Sequence, residues 1–580
     1  MKKAFKSLLL AFTTLIAGTV AYAQVTTSSL GGKIVDDKGE AAIGAAVVAV
    51  HGPSGTTYGA VTNADGRYTI MGMRPGGPYT VTVSLMGYEN VTTDGLTLSL
   101  GETQDFSTVI RESAEFLSEA VVVARGDAGK TGASQSIRRS TIEEMPSITR
   151  GIADVARVNP FIRVNGDGAM SFAGMNNRYN SFQIDGAMNN DVFGLTSNGS
   201  NGGQAGTQPV SMETIEQVQV SIAPFDVRQS GFTGGAINAI TKSGTNDFHG
   251  SVYGFGLNQA LIGRFKKANG DLSSKYNDQI EYQAGVTVGG PIVKNKLFFF
   301  ASFETANKQY PNVYGAGSAD SKVDSKVAKE VVDWVKANSN YEGALPENLQ
   351  VYTKSNKASA KLDWNINDRN HASFRWSLVS AKQLNSVSGA SAMNTNDYSY
   401  DFASNTNSFV AELQSRISDQ MNNELRLSYV RVRDKRNPLG ANFPMLQIGG
   451  VGGGTLNLGN ERSSVANRLD QDIYSLTDNF TWFLGNHTLT FGTHNELYKF
   501  TNLFIQDKYG TYYFASPEDL YNGVIKQYRY GHANVDVTGD ENWEPTFKAG
   551  QLGFYVQDKW NISRTFELTR SEEHTSELQS

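Results

Sequence analysis

From Phe248 to Trp560 the chain repeats one unit: a run of about ten residues with strand character, then a connection that is alternately very short and long. The runs are Phe248–Asn258, Ile280–Gly289, Leu297–Ala306, Ser355–Trp364, His371–Ser380, Ser408–Ile417, Asn422–Arg433, Asp472–Phe483, His487–Phe500 and Gln551–Trp560. Short turns fall at Pro291–Lys296, Asn367–Asn370, Ser418–Gln420, Leu484–Asn486 and near Ile562–Arg564. The long polar connections include Asn307–Lys354, Ala381–Asn407, Asp434–Gln471 and Thr501–Gly550. A strand tilted across a bilayer needs roughly nine to eleven residues, and turns short on one side and long on the other are the layout of an antiparallel transmembrane barrel. Leu425, Leu427, Tyr429 and Val432 alternate with Glu424, Arg426, Ser428 and Arg431, slipping by one residue near Arg431. Phe554, Val556 and Trp560 alternate less regularly with Gln557, Asp558 and Lys559. Aromatic residues gather at run ends (Phe298 to Phe303, Trp364, Trp482, Trp560), as they do where a barrel meets the membrane interfaces.

The N-terminus bounds the location. Lys2, Lys3 and Lys6 precede an apolar stretch from Leu8 to Val20, and Ala21-Tyr22-Ala23 offers a small-x-small cleavage site before Gln24. Residues 1–23 therefore read as a secretory signal, too short for a membrane-spanning helix. No later segment approaches 18 apolar residues. The chain has no Cys, which excludes disulfides, thiolate chemistry and a lipid on an N-terminal cysteine. A formal charge of −6 argues against nucleic acid as partner.

Residues 24–112 read as a small β-sandwich, with short alternating strands at Leu30–Val35, Ala45–Val50, Thr57–Val61, Arg67–Ile70 and Pro78–Val83. His51 is its only histidine, so it lacks the ligand set of a catalytic zinc. Asn63, Asp65 and Gly66 suit a hairpin turn better than a calcium loop. A linker, residues 113–130, holds one apolar, β-branched run: Leu117, Ser118, Glu119, Ala120, Val121, Val122, Val123 and Ala124. An extended run of this kind offers free N–H and C=O groups to a partner's sheet edge, or opens the next domain as its first strand. Residues 131–246 form a compact αβ segment rich in Gly, Asn and Thr, with a short helical stretch from Ile142 to Arg157. In it, Gln217–Ile222 and Ala236–Ile240 alternate as half-buried strands do. The Gly-rich runs lack the Lys-Ser/Thr of a phosphate cradle, and no G-x-S-x-G or H-E-x-x-H is present. Catalytic, cofactor and metal sites are all expected to be absent.

Three pieces of this segment carry a resemblance: Phe182-Gln183-Ile184-Asp185-Gly186, Met212-Glu213-Thr214-Ile215-Glu216-Gln217-Val218, and Gly234-Gly235-Ala236-Ile237-Asn238-Ala239-Ile240-Thr241-Lys242. In this order, ahead of barrel-type strands, they resemble the plug domain of TonB-dependent outer-membrane receptors. With Pro224-Phe225-Asp226-Val227-Arg228 between them, they are similar to the Oar-like branch. The pattern of residues 28–111 resembles the carboxypeptidase-regulatory-like domain, a prealbumin or carbohydrate-binding-like fold. The resemblance implies a mainly β chain: an N-terminal β-sandwich, a small αβ plug (131–246) and the first half of an antiparallel transmembrane barrel (247–569). It makes Ile184, Asp185, Gly186, Ile215, Glu216, Gly234, Gly235 and Asn238 the plug motif, and Leu117–Ala124 a TonB-box-like segment. It implies energised uptake of a bulky or scarce solute, with a TonB-type energy transducer, outer-membrane lipid and an unknown solute, glycan and peptide being candidate classes, as partners. Adhesion or protein export on the same barrel, and a secreted glycan-binding protein, are the alternatives. Family barrels have 22 strands, so a C-terminal half is expected beyond this sequence. Arg570–Ser580 breaks the strand pattern and looks like a translated sequencing adapter.

Overall fold

The structure, a computed structural model, describes residues 25–112 and 133–579. Short breaks fall at 146, 148, 149, 166, 167, 223, 230, 231, 265, 267–269, 273, 274, 276, 277, 348, 564 and 565. The expected signal segment, its expected cleavage site at Ala23 and Gln24, and the TonB-box-like run Leu117–Ala124 expected from the sequence all lie outside the described residues.

One antiparallel sheet dominates. Its strands, in chain order, are β1 (His249–Asn258), β2 (Ile280–Val293), β3 (Leu297–Pro311), β4 (Gln350–Asn367), β5 (Asn370–Asn385), β6 (Tyr400–Ser418), β7 (Met421–Pro438), β8 (Ala466–Leu484), β9 (His487–Ile505), β10 (Thr546–Asn561) and β11 (Glu567–Gln579). Each pairs only with its sequence neighbours, and β1 and β11 end the sheet. Strand starts and ends at the short turns match the sequence pattern. At the other end the strands run on, to 19 residues in β6, β8 and β9. The extensions carry few apolar residues, and in stretches such as Ser404–Asn407 both faces are polar, so no period-two signal marks them there. Main-chain pairing continues there without one.

The slip near Arg431 is not a bulge. Register between β7 and both neighbours is continuous through Arg431. What changes is the chemistry of the faces: Glu424 and Arg426 are buried on the inner side, and so are Val430 and Val432, which pack with Ile473. The aromatic run Leu297–Phe300 is also divided by alternation. Phe298 and Phe300 are buried on the inner face, so they are not part of an interface girdle, whereas Phe303 and Trp364 stand exposed outside. The outer girdle on the long-connection side is instead a row of directly opposed residues, Trp376, Phe409, Tyr429 and Tyr474. Tyr429 stacks on Tyr474 at 4.7 Å and on Phe409 at 6.0 Å. On β8, Tyr474 and Trp482 are separated by eight positions, about 26 Å along a strand and about 20 Å after tilt, somewhat less than the roughly 25 Å of an outer-membrane apolar band. Residues 570–579, expected to leave the pattern, pair with β10 as part of β11, from Asp558↔Arg570 to Ala549↔Gln579. Main-chain pairing asks nothing of the side chains, so a polar run is accepted at a sheet edge.

The long connections are not open loops. Helix Ser325–Asn338 packs on a five-stranded sheet drawn from three other connections: Ala392–Asn394, Gly454–Leu458, Met445–Val451, Thr511–Phe514 and Gln527–Arg529, in spatial order. Asp324 caps the helix, accepting from Lys326 N and Val327 N. Val331, Val335, Met393, Ile448, Leu456 and Phe514 form a buried core of this cap.

At the short-turn end lies the sandwich, two four-stranded sheets closed over Leu30, Val47, Tyr79, Val81 and Phe106. The plug carries a five-stranded sheet with Ile215, Val218, Val220 and Ile237 in its core. The expected single helix is two short ones, Arg139–Glu144 and Ile152–Ala156. Pro146 lies between them and cannot continue a helix.

Leu456→Ala should test whether the cap is a unit of its own. Emptying that buried position should cost about 2–5 kcal/mol. Residues 439–465 and 506–545 should become protease-sensitive while the wall keeps its heat-modifiable gel mobility.

Candidate functional site

The plug motif is where plug, wall and sandwich meet. Phe182-Gln183-Ile184 leads into a two-residue hairpin at Asp185-Gly186, with φ of 48° and 70°. Both values are left-handed, as a type I′ turn requires, and Ile184 then pairs with Ala187. A Cβ on Gly186 would stand 2.4 Å from Arg426 Nη1 of the wall, so only glycine lets the turn approach. The Asp185 carboxylate accepts from Thr241 N (2.8 Å) and Thr241 Oγ1 (2.7 Å) within the plug. It also pairs with Arg375 of β5 (3.2 Å) and Lys361 of β4 (3.8 Å). Burial, which would raise its pKa, is outweighed by those two cations and the Thr241 bonds, so the carboxyl is held below its ordinary range.

Further polar contacts run round the seam. Ser211 Oγ (2.6 Å), Tyr253 Oη (2.9 Å) and Lys357 Nζ (2.7 Å) all donate to Glu304 of β3. Val227 N donates to Gln557 Oε1 of β10 at 2.9 Å. Thr26, just ahead of the sandwich, donates to Glu412 Oε2 (2.7 Å) and accepts from Arg426 Nη2 (2.8 Å). Asn238 Nδ2 holds the same strap by donating to Val25 O at 2.7 Å. Gly235 is needed for packing inside the plug: a Cβ there would lie 2.3 Å from Phe172. Gly234 sits against Asn180, and Ile215 is fully buried in the plug core. The eight motif residues thus serve three roles: Asp185 and Gly186 anchor, Asn238 fastens the strap, and the others build the plug or face the sandwich.

The two plug strands expected to be half-buried are buried on both faces, Gln217 and Gln219 included. The sandwich covers their polar face. Leu100 N donates to Gln217 Oε1 (2.9 Å), Gln217 Nε2 donates to Leu98 O (3.2 Å), and Arg138 donates to Ser99 Oγ (3.0 Å). Burial pushes the Glu216 carboxyl up on this same face. The sandwich also grips the short turns of the wall. Arg74 pairs with Asp363 (3.6 Å), Asn365 Nδ2 donates to Thr56 Oγ1 (2.8 Å), and Asn246 N donates to Pro53 O (2.8 Å). His51, behind Thr56, bonds Ser54 Oγ at 2.7 Å through Nδ1, and burial together with Arg74 pushes its pKa down to about 3. Sequence reasoning missed this joint, because its residues are scattered and become neighbours only through docking.

Among the described residues, no group of His, Cys, Asp and Glu is placed to hold a metal ion. A cavity of about 640 Å³ opens between plug and wall beside Tyr179, Asp226, Phe232, His494 and Tyr498.

Comparison with known proteins gives two family matches: the outer membrane beta barrel domain over residues 240–319 and 308–570, and the carboxypeptidase regulatory-like domain over residues 29–111. The chain is 27% identical over 384 residues to the TonB-dependent transporter Oar of Myxococcus xanthus, covering 62% of this chain and 34% of that protein. It thus spans about a third of that relative's length. Two solved structures share the fold. The outer membrane transporter YddB of Escherichia coli has a TM-score of 0.53 at 12% identity, over 77% of this chain and 56% of that one. The siderophore receptor PirA of Acinetobacter baumannii has a TM-score of 0.50 at 16% identity, over the same 77% and 56%.

Asp185→Ala would leave Lys361 and Arg375 buried without their carboxylate. Breaking a buried pair costs about 3–5 kcal/mol. The plug should be released at lower urea, read as earlier protease cleavage within residues 133–246. The second expected outcome concerns His51. Its folded pKa lies below its ordinary value, so the joint has its full stability above about pH 6.5. Stability should fall as pH drops from there towards 3. Thermal melting of the sandwich, followed from pH 7.5 to 4, should show that loss, and His51→Gln should flatten it.

Proposed function

Because this chain belongs to the outer membrane beta barrel domain family, we propose that it is a TonB-dependent receptor that takes up a bulky or scarce solute. The observation that carries the reading is the plug held to the inner face of the wall by buried ion pairs, above all Asp185 with Arg375. A lumen filled by a separately folded domain passes no bulky solute until something moves that domain. Polar, charge-paired seams suit such a part better than an apolar core would: groups leaving the seam meet water rather than losing it. On this reading the cap captures solute at the long-connection side. The sandwich beneath the plug closes the short-turn mouth, and both must shift for passage.

The pull is assigned to a TonB-type transducer engaging Leu117–Ala124 by strand addition. Oar of Myxococcus xanthus and the siderophore receptor PirA support transport as the activity, and neither name decides a solute for this chain. Glycan and peptide remain the classes to test first. A second reading, adhesion or protein export, is favoured by the cap itself, since a packed domain with its own core offers a fixed outer face. The outer-membrane location sets aside a secreted glycan-binding protein.

Val122→Pro removes one donor from the strand-adding segment. Energised uptake should be abolished while solute still binds at the cell surface. Uptake at the parental rate would overturn the assignment of this segment. Normal uptake alongside lost adhesion, in cells lacking the whole protein, would favour the second reading.

A further inference from the structure

On the long-connection side the plug leans on the wall through residues 189–206. The two arms of this loop lie side by side: Asp191 N donates to Gly199 O and Asn201 N donates to Asn189 O, both at 2.9 Å. Ala205 packs with Ala381, Tyr400 and Phe402 of the wall and seats the loop there. Beside it Gly202, at φ 72°, brings main chain against β6: a Cβ on it would lie 3.1 Å from Ser404 Oγ and 3.4 Å from Thr406 Oγ1. Ser404 stands opposite Ala381, six positions beyond Arg375 on β5, or about 20 Å along the strand. This contact is therefore separate from the Asp185 anchor.

The contact leaves polar atoms over. Asp434 of β7 stands opposite Ser404, and Gln471 of β8 stands opposite Val432, one inward-facing position from Asp434. These residues, with Thr406 and Asn201, are each less than a tenth exposed, Asp434 at 5% and Gln471 at 2%. Asp434 Oδ1, Gln471 Oε1, Ser404 Oγ, Thr406 Oγ1 and both amide atoms of Asn201 are buried without a hydrogen-bond partner among the described residues. Ser404 lies beside the Asp434 carboxyl, outside hydrogen-bonding geometry. The charged groups that act on Asp434 are Asp191 of the loop and Asp470 of β8, both of its own sign. Arg436, the next cation on the same face, is turned to Glu461 (3.7 Å) and to the Tyr400 ring (4.9 Å). Among the described residues, neither Asp434 nor Asp191 has an ion-pair partner.

A buried carboxylate whose charged neighbours are all negative is costly until something neutralises it. A proton on Asp434 supplies one donor, while Asp434, Gln471 and Asn201 each present an oxygen that only accepts. Buried water bridges neutral oxygens but brings no charge. A cation meets both demands at once. Carboxylate, amide and hydroxyl oxygens in an irregular arrangement suit Ca2+, whereas Mg2+ demands near-octahedral geometry and keeps its waters. Most of these donors are neutral, so no group of acidic and imidazole side chains marks the spot. We propose that this patch is a Ca2+ site that fastens residues 189–206 of the plug to the wall. Asp434 supplies the charge, and Ser404, Thr406, Gln471 and Asn201 supply neutral oxygens. Asp191, whose carboxylate accepts from Phe193 N (3.2 Å) and Thr196 N (2.6 Å), adds its charge from within the loop. The site is independent of which solute the lumen carries.

The test compares the parent protein, purified in detergent and stripped with EDTA, with D434N, T406V and the control D320N, which neutralises an exposed carboxylate on a long connection. Each is titrated with radioactive Ca2+ by equilibrium dialysis. Ions carried by copurified lipid are common to all four proteins, so the differences between them are read. Losing an outer partner of a metal ligand already costs about 10–100-fold, so D434N should bind at least about tenfold more weakly than the parent. T406V removes one neutral oxygen at nearly constant volume and should bind about fivefold more weakly. D320N should bind as the parent does. Ca2+ should also raise the urea at which protease cuts within residues 133–246 in the parent, and leave D434N unchanged. Equal binding by parent and D434N overturns the proposal, as does a parent that binds no Ca2+, in which a proton and water fill the patch. Full displacement of Ca2+ by equimolar Mg2+ overturns it too. If D434N loses its heat-modifiable mobility, T406V decides, and binding within about twofold of the parent sinks the site.

Discussion

A backbone N–H or C=O left unpaired in hydrocarbon costs several kcal/mol, and the architecture follows from avoiding that cost. The continuous ladder from β1 to β11 satisfies those groups strand by strand, in register from one turn to the next. Once the ladder exists, alternation leaves every strand with one face towards lipid and one towards the lumen. The lipid face can be apolar without penalty. The lumen face must find polar partners, and it finds them in the plug: Glu304, Lys361, Arg375, Arg426 and Gln557 each meet a plug or strap residue.

The strength of the plug's attachment follows from the same chemistry. Its own core is apolar and closed, so it holds its shape, while its contacts with the wall are hydrogen bonds and ion pairs. Pairs of this kind are costly to leave half-made and add little net stability when complete. The attachment is therefore specific in position without being deep in energy. The sandwich adds a second layer of the same sort, contacting plug strands through Gln217 and wall turns through Thr56 and Arg74. His51 sits in that joint as a buried neutral imidazole, which makes the joint sensitive to acid.

Much of this was legible in the order of residues. Runs with turn residues at fixed intervals revealed ten wall strands and the short-turn ends of each, because Asn, Asp and Gly at a tight turn leave a local signature. Asp185-Gly186 was legible as a turn for the same reason. Where both faces of a strand are polar, as in Ser404–Asn407, period two vanishes and the strand's true length was hidden. The slip read at Arg431 was a change in what lies on either side of the wall, at the height where lipid gives way to headgroups and water.

By itself the sequence determined the wall, the sandwich and the plug as separate units, since each is specified by short-range patterning: alternation, turn chemistry and local apolar cores. It determined as well that Asp185 and Gly186 form a hairpin. Only the tertiary structure decided that Asp185 faces Arg375 and that Gln217 faces Leu98 and Leu100. It alone decided that four long connections share one core, and that Asn201, Ser404, Asp434 and Gln471 share one patch of the seam. Those residues are separated by tens to hundreds of positions, and their proximity is a product of register and docking. Register is propagated through main-chain pairs that are identical at every residue, so it leaves no mark on the side chains it brings together.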